Sequence, residues 1–296
     1  MQHYALFRRK IPLPRPAFWG FRKPPPTSSF CMERSRLVCG YARPVAISCR
    51  PMPRTQNIYD DPAFFEGYER LRQSRTGLNE VLEQPALRSV LPASLAVMRV
   101  LDLGCGFGDF AREARREGAR LVVGIDPSRR MLERAIALTQ DPAIEYRCAS
   151  IEELDFGGER FDLVVSSLSL HYVEDYAGAL ARIAPLLDAG GRLAFSVEHP
   201  ICTALPAQQW VRDAAGTPLY WPVDDYHLEG RRETRWFIDG VIKFHRSVET
   251  YVMNAGFALT ALKEPLPIPR ASSSVPELDL HRRRPPFLVL AADRRS

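Results

Sequence analysis

An apolar run, Val100-Leu101-Asp102-Leu103, breaks into Gly104-Cys105-Gly106-Phe107-Gly108, and Asp109 then opens a stretch of helical pattern. A strand that turns through glycines straight into a helix is how a βαβ unit begins, because glycine takes up positive φ and lets backbone approach a ligand closely. The remaining chain repeats the alternation. Short apolar runs at 99–103, 121–125, 144–148, 161–166 and 192–197 are separated by helical stretches, which implies a parallel sheet covered on both faces. The clearest helix is expected over 176–187, where Tyr176, Ala179, Leu180, Ile183, Leu186 and Leu187 share a face. Gly190-Gly191 is expected to end that helix and turn the chain into the next strand. A helix near 241–254, a strand at 257–262 and a run at 287–291 are expected to close the sheet. Upstream, residues 57–91 predict one or two short helices with Phe64, Phe65, Tyr68 and Leu71 on one face, a cap on the sheet.

Charge divides the 296 residues unevenly. Residues 1–51 carry ten Lys/Arg, one acid and eight prolines with no sustained apolar period, so this basic segment is expected to be disordered. It is consistent with a targeting peptide, a basic arm, or an extension ahead of a true start at Met52. Residues 52–296 are net −4, so the folded part is not expected to attract phosphate backbones. No run approaches the roughly 20 apolar residues of a membrane helix. The six cysteines (31, 39, 49, 105, 148, 202) form no CxxC pair, which argues against a zinc ribbon or a disulfide framework and for a cytoplasmic setting. No metal site is expected.

The glycine turn discriminates among nucleotide chemistries. A dinucleotide fingerprint starting at Gly104 would need glycine or alanine at 109, where Asp109 stands; a carboxylate in the first helical turn occupies the partial positive charge that a pyrophosphate requires. A P-loop is excluded because no GK[ST] follows. The turn therefore suits a nucleoside without phosphates. Asp126, at the end of the second strand, can accept hydrogen bonds from both hydroxyls of a ribose at the switch point of the sheet, or it serves only as a turn acid before Ser128. Asp102 can hold an ammonium group, or it is a buried acid satisfied by backbone N–H groups.

Four ordered stretches, LDLGCGFG at 101–108, GID at 124–126 with Met131-Leu132 and Ala135 after it, FDLVVSSLSLHYV at 161–173 and LLDAGGRLAFSVEHP at 186–200, resemble the successive motifs of class I S-adenosylmethionine-dependent methyltransferases of the type 11 small-molecule group. Order and spacing match over roughly residues 57–265. The resemblance implies a Rossmann-like, seven-stranded, mostly parallel sheet with helices on both faces, and S-adenosyl-L-methionine as cofactor. It implies that Asp102, Gly104, Cys105, Gly106 and Gly108 surround the methionine part, that Asp126 takes the ribose and that Met131 touches adenine. Ser150, Ile151 and Glu152 would flank the adenine edge, and Ser167 would lie under the sulfonium. The family commonly has an Asp near Ala149-Ser150, so here Ser150 or Glu152 supplies the N6 contact. Tyr59 and Tyr68 in the cap would close over the cofactor, as this region does in similar enzymes, or serve in the core.

The expected organisation is one methyltransferase domain over 52–296. It comprises a cap (57–95), a cofactor-binding core (97–198), a lid insertion (199–240) and a closing helix with strands (241–296). A small-molecule acceptor is expected to receive the methyl group at O, N or C by in-line displacement, and an alcohol, phenol or protonated amine would need a base. His171, His199 and Glu198 follow strands four and five and are the candidates, with structural roles as the alternative for both histidines. Trp210, Tyr220, Trp221, Tyr226, Trp236 and Phe237 in the insertion form either an acceptor pocket or a hairpin flap. HExxH, GxSxG, an NPPY-like tetrad and a Pro-Cys dipeptide are absent, so metalloprotease, serine hydrolase and DNA methylation chemistries are not expected. A tRNA substrate stays open only through the basic arm. A nicotinamide oxidoreductase on the same sheet, and a cofactor-binding domain without turnover, are the alternatives in other classes.

Overall fold

The computed structural model describes residues 56–74, 77–252, 256–267 and 278–295. The basic segment 1–51 lies outside the described residues. Eleven strands are found among them: β1 (Arg99–Leu103), β2 (Leu121–Asp126), β3 (Ile144–Cys148), β4 (Phe161–Ser167), β5 (Leu187–Glu198), β6 (Val211–Arg212), β7 (Pro218–Tyr220), β8 (Gly230–Trp236), β9 (Ile238–His245), β10 (Phe257–Lys263) and β11 (Phe287–Arg294). The α-helices are α1 (Pro62–Ser74), α2 (Gln84–Arg88), α3 (Asp109–Arg116), α4 (Arg129–Ala137), α5 (Tyr176–Ile183), α6 (Pro200–Thr203) and α7 (Val248–Val252), with a π-helical turn at Asn79–Glu83.

Seven strands form one sheet in the order β3-β2-β1-β4-β5-β11-β10, parallel through the first five, with β11 antiparallel to both neighbours. The seven-stranded Rossmann-like sheet expected from the sequence is therefore present. Its inner strands are apolar on both faces because both are covered. Leu101, Leu103, Val123, Ile125, Val164 and Phe195 pack with α5 and Tyr251 of α7, while Val100, Val122, Leu163, Val165 and Ala194 pack with Leu87 of α2 and with Phe110, Ala111 and Ala114 of α3. Consecutive residues such as Val100 and Leu101 thus enter opposite cores, as a two-fold pleat requires.

Two local expectations are corrected. The helix at 176 ends near Ile183 and tightens into a 3-10 turn over Ala184–Leu186, with Pro185 unable to continue an α-helix. Gly190-Gly191 then lies inside β5, where pairing with β4 jumps from Phe161↔Leu187 to Leu163↔Arg192. The glycines serve a bulge rather than a helix end. Residues 241–245 belong to β9, not to a helix. Their burial alternates, with Val241, Lys243 and His245 inward, and the inward Lys and His disguise the period-two pattern. The helix that follows is confined to Val248–Val252 among the described residues.

The cap is bonded to the sheet through Glu83. This carboxyl is fully buried, accepts from Ser167 Oγ at 3.0 Å and from Ser196 Oγ, and receives the Asn79 and Gln84 amides at 2.7 and 2.8 Å. Burial raises its pKa, and the Ser196, Ser167 and Gln84 bonds pull the other way. Removing one partner of such a network leaves several donors unpaired in a dry place. Glu83→Ala is expected to destabilise the protein by about 2–4 kcal/mol, with Glu83→Gln recovering part of it. Urea denaturation of both variants measures this.

Candidate functional site

The sheet order reverses between β1 and β4, so the connections after these two strands leave in opposite directions and open a crevice at their carboxyl ends. There Gly104 and Cys105 both donate N–H to Ile125 O at 2.9 Å, which holds the turn against the end of β2. At Gly104, φ is +72°, and a Cβ would sit 2.6 Å from the Ser169 side chain, whose hydroxyl donates to Leu103 O. At Gly106, φ is +52° and the nearest atom to a built Cβ is the Tyr68 hydroxyl at 4.0 Å. Gly104 is thus fixed by crowding, whereas Gly106 fronts open space.

Two carboxyls flank this turn. Asp126 is buried; Oδ2 accepts the Gly106 N–H at 3.0 Å and Oδ1 the Ser128 N–H at 2.8 Å. Burial raises its pKa to about 6 against those two bonds. The turn role before Ser128 is therefore real, yet each oxygen keeps a lone pair for a further donor. Asp102 is 3% exposed, and its Oδ2 meets no donor. Burial, with the Asp126 and Asp109 charges adding to it, raises its pKa to about 8. Ser150 Oγ is likewise buried and unpaired. Asp109, in the first turn of α3, is bound by Arg72 of the cap at 2.8 Å and by Arg112. Burial works against its ionisation, but Arg72 and Arg112 prevail and lower its pKa.

A cavity of about 490 Å³ extends from this turn toward the insertion. Of the residues singled out in the sequence, Asp102, Gly104, Cys105, Gly106, Asp126, Met131, Ser150, Ile151, Glu152, Ser167, Tyr68, His171 and Glu198 line it. Gly108 and His199 do not. Gly108 instead caps α3 in a left-handed conformation under Tyr146. His199 caps α6: Nδ1 accepts the Ile201 N–H at 3.1 Å, and Nε2 lies 2.8 Å from Glu264 Oε1. His171 is buried, with its pKa pushed down to about 3 by burial against the pull of Glu198. Its Nδ1 accepts the Glu198 N–H at 3.4 Å, so the neutral ring carries its proton on Nε2.

Glu198 lines the far end of the cavity and is paired with a residue that periodicity did not expose. Lys243 Nζ lies 2.5 Å from Glu198 Oε1 and 5.4 Å from the Trp236 ring centroid. Burial raises the Glu198 pKa, but the Lys243 charge and hydrogen bond outweigh it, and the carboxylate stays below its ordinary value. Glu198 Oε2 is buried near the Gln208 amide, with no partner at full hydrogen-bond distance. Tyr59, Tyr68, Phe64 and Trp236 meet edge to face, with centroids 4.9–6.2 Å apart. The cap tyrosines therefore both pack in an aromatic cluster and line the cavity. The insertion is not structureless: it folds into α6, the small β6–β7 pair and the β8–β9 hairpin. Trp221 and Trp236 line the cavity from it.

A family model described as a methyltransferase domain matches residues 101–195. A protein of Haemophilus influenzae, itself uncharacterized, is 32% identical over 246 residues, 80% of this chain and 96% of that one. A solved S-adenosylmethionine-dependent methyltransferase from Mesorhizobium loti is 40% identical, with a TM-score of 0.68 over 75% of this chain and all of that one. The chain belongs to the class I S-adenosylmethionine-dependent methyltransferases. A ubiquinone biosynthesis O-methyltransferase from a Bradyrhizobium strain is 38% identical over 104 residues, 34% of this chain but only 40% of that one. The cofactor of this methyltransferase is S-adenosyl-L-methionine, and the residues present fit it. Buried Asp102 Oδ2 and Ser150 Oγ lack partners, and Gly106 presents bare backbone. Oxidoreductase chemistry is set aside by the same comparisons.

Asp102 carries a linkage. Its folded pKa of about 8 lies above the unfolded value near 4, so the native state binds more protons between those limits and stability falls as pH rises through them. Asp102→Asn is expected to raise Tm at pH 8 by about 3 °C or more while weakening cofactor binding at least tenfold. Thermal scans at pH 5 and pH 8, where the gain shrinks at the lower pH, check the sign.

Proposed function

We propose that this methyltransferase methylates a small acceptor that fills the far end of the cavity, between the cap aromatics and the β8–β9 hairpin. The observation that carries this reading is the continuous lining from Asp102 and Gly106 to Trp236, Glu198 and Trp221. A site walled by aromatics with a few polar groups is what a small, partly apolar ligand requires. The net negative charge of residues 52–296 supports it over a polynucleotide. The ubiquinone-pathway relative is an O-methyltransferase, which favours a hydroxyl acceptor.

The roles then follow from position. Asp102 Oδ2 receives the ammonium of the methionine part, and the Gly104–Gly106 backbone passes beside it. Asp126 accepts from the ribose hydroxyls with its remaining lone pairs. Met131, Ile151, Ser150 and Glu152 would hold the adenine, and Ser167, oriented by Glu83, would face the sulfonium. The bound cofactor supplies a methyl group on a positively charged sulfur, whose departure as a thioether needs no acid. What the protein adds is alignment and exclusion of water. Glu198 accepts the hydrogen bond, and finally the proton, of an acceptor hydroxyl or ammonium through Oε2 while Lys243 holds Oε1. His171 stays neutral at any working pH and supports Glu198 through its backbone N–H.

Incubation with methyl-labelled S-adenosylmethionine and a library of phenols, alcohols and amines, with tRNA and protein fractions as further acceptors, tests the reading by mass spectrometry. Label in a low-mass product supports it; label only in macromolecules contradicts it. Glu198→Gln is expected to lower kcat by about 10–100-fold with S-adenosylhomocysteine affinity unchanged. Lys243→Met removes the charge that depresses Glu198, so the acidic limb of the pH–rate profile should move to higher pH.

A further inference from the structure

We infer that the acceptor of this enzyme carries an anionic group, a carboxylate in the simplest case, and that Arg284 is the residue that binds it. The inference rests on the reading that a small acceptor fills the far end of the cavity. Arg284 lines that end, just before β11. Its guanidinium lies over the Trp221 ring at 3.8 Å from the centroid, and Trp221 is itself fixed by donating Nε1–H to Ile201 O at 2.9 Å. Behind this shelf, Trp210 meets Trp221 edge to face at 5.5 Å and takes Arg283 on its ring at 4.8 Å. An exposed, freely moving arginine would not need such a mount.

The guanidinium is mounted but not neutralised. Among the described residues it makes no ion pair; its one hydrogen bond runs from Nη1 to Cys202 Sγ at 2.7 Å, and Nε is buried without any acceptor. Burial lowers its pKa, and the Cys202 thiol that partners it has its own pKa raised to about 12 by burial, so the sulfur is neutral. A thiol is a weak acceptor and leaves the positive charge unmatched. The neighbouring carboxylates are engaged elsewhere: Glu198 with Lys243, and Glu264 with His199. With His171 neutral and Lys243 committed to Glu198, the Arg284 guanidinium has no ion-pair partner among the described residues. Such a charge in a partly dry site is costly unless a ligand balances it. Stacking on Trp221 leaves the planar edge of the guanidinium for in-plane donation, which matches the two oxygens of a carboxylate. Lys243, committed to Glu198, is not a competing anchor.

The test uses the full chain loaded with S-adenosylhomocysteine and a panel of hydroxybenzoates and hydroxycinnamates, each paired with its neutral methyl ester, titrated by calorimetry. The wild type is expected to bind at least one free acid about 10–100-fold more tightly than its ester. Arg284→Gln should abolish that preference and Arg284→Lys should keep part of it. S-adenosylhomocysteine affinity, measured in each variant, verifies that the fold and cofactor site persist. Equal binding of acid and ester, or a preference that survives Arg284→Gln, overturns the inference and leaves the small-acceptor reading standing. Failure of every acid and ester to bind the loaded enzyme overturns both.

Discussion

Reversal of strand order between β1 and β4 is the constraint on which the other features depend, because it forces two chain connections apart and leaves backbone and side chains of the strand ends facing a gap. Into that gap the fold places acids that would be better solvated elsewhere. Asp102 and Asp126 both have pKa values raised chiefly by burial, to about 8 and about 6. The apo protein bears this electrostatic cost in the place where the ammonium and ribose hydroxyls of the cofactor are proposed to sit. Stability is set against binding there, as at many functional sites.

Around the gap, the cap and the insertion do different work. The cap is bonded to the core through Glu83, Ser167 and Ser196 and through Arg72 to Asp109, so its position is coupled to the strand ends rather than left to loop packing. The insertion adds aromatic walls, and β9, which continues from it, sets Lys243 against Glu198 at the end of β5. Buried pairs of this kind contribute little net stability, since desolvation offsets their attraction. Under the proposed function, the pair keeps Glu198 ionised beside the acceptor.

The sheet was legible in the sequence because its inner strands are buried on both faces, so 99–103 emerges with the observed limits, and the edge strand 144–148 does so too although only Ile144 of it is buried. β9 was not, because Lys243 and His245 occupy inward positions and erase the alternation that marks a strand. The cofactor end of the cavity was largely visible through the 101–108 turn and Asp126, which are local in sequence. At the far end Glu198 and Trp221 were visible too, but Lys243 and Arg284 were hidden for a physical reason: they reach Glu198 and Trp221 from distant segments, and neither follows a local period. Arg284 in particular sits in the charged run Arg282-Arg283-Arg284, where a solvated surface is the ordinary expectation. His199, next to Glu198 in the chain, faces Glu264 instead of the cavity, a one-residue difference that β-strand pleating and the start of α6 together impose.

Proton release on cofactor binding tests the central claim most directly. Calorimetric titration of S-adenosylhomocysteine at pH 7 in buffers of different ionisation enthalpy reports it. Asp102, protonated at pH 7 in the apo protein, must ionise to hold an ammonium group. The account predicts tight binding with release of about one proton, and loss of that release in Asp102→Asn. Absence of binding, or binding with no proton release that is unchanged in Asp102→Asn, would contradict it.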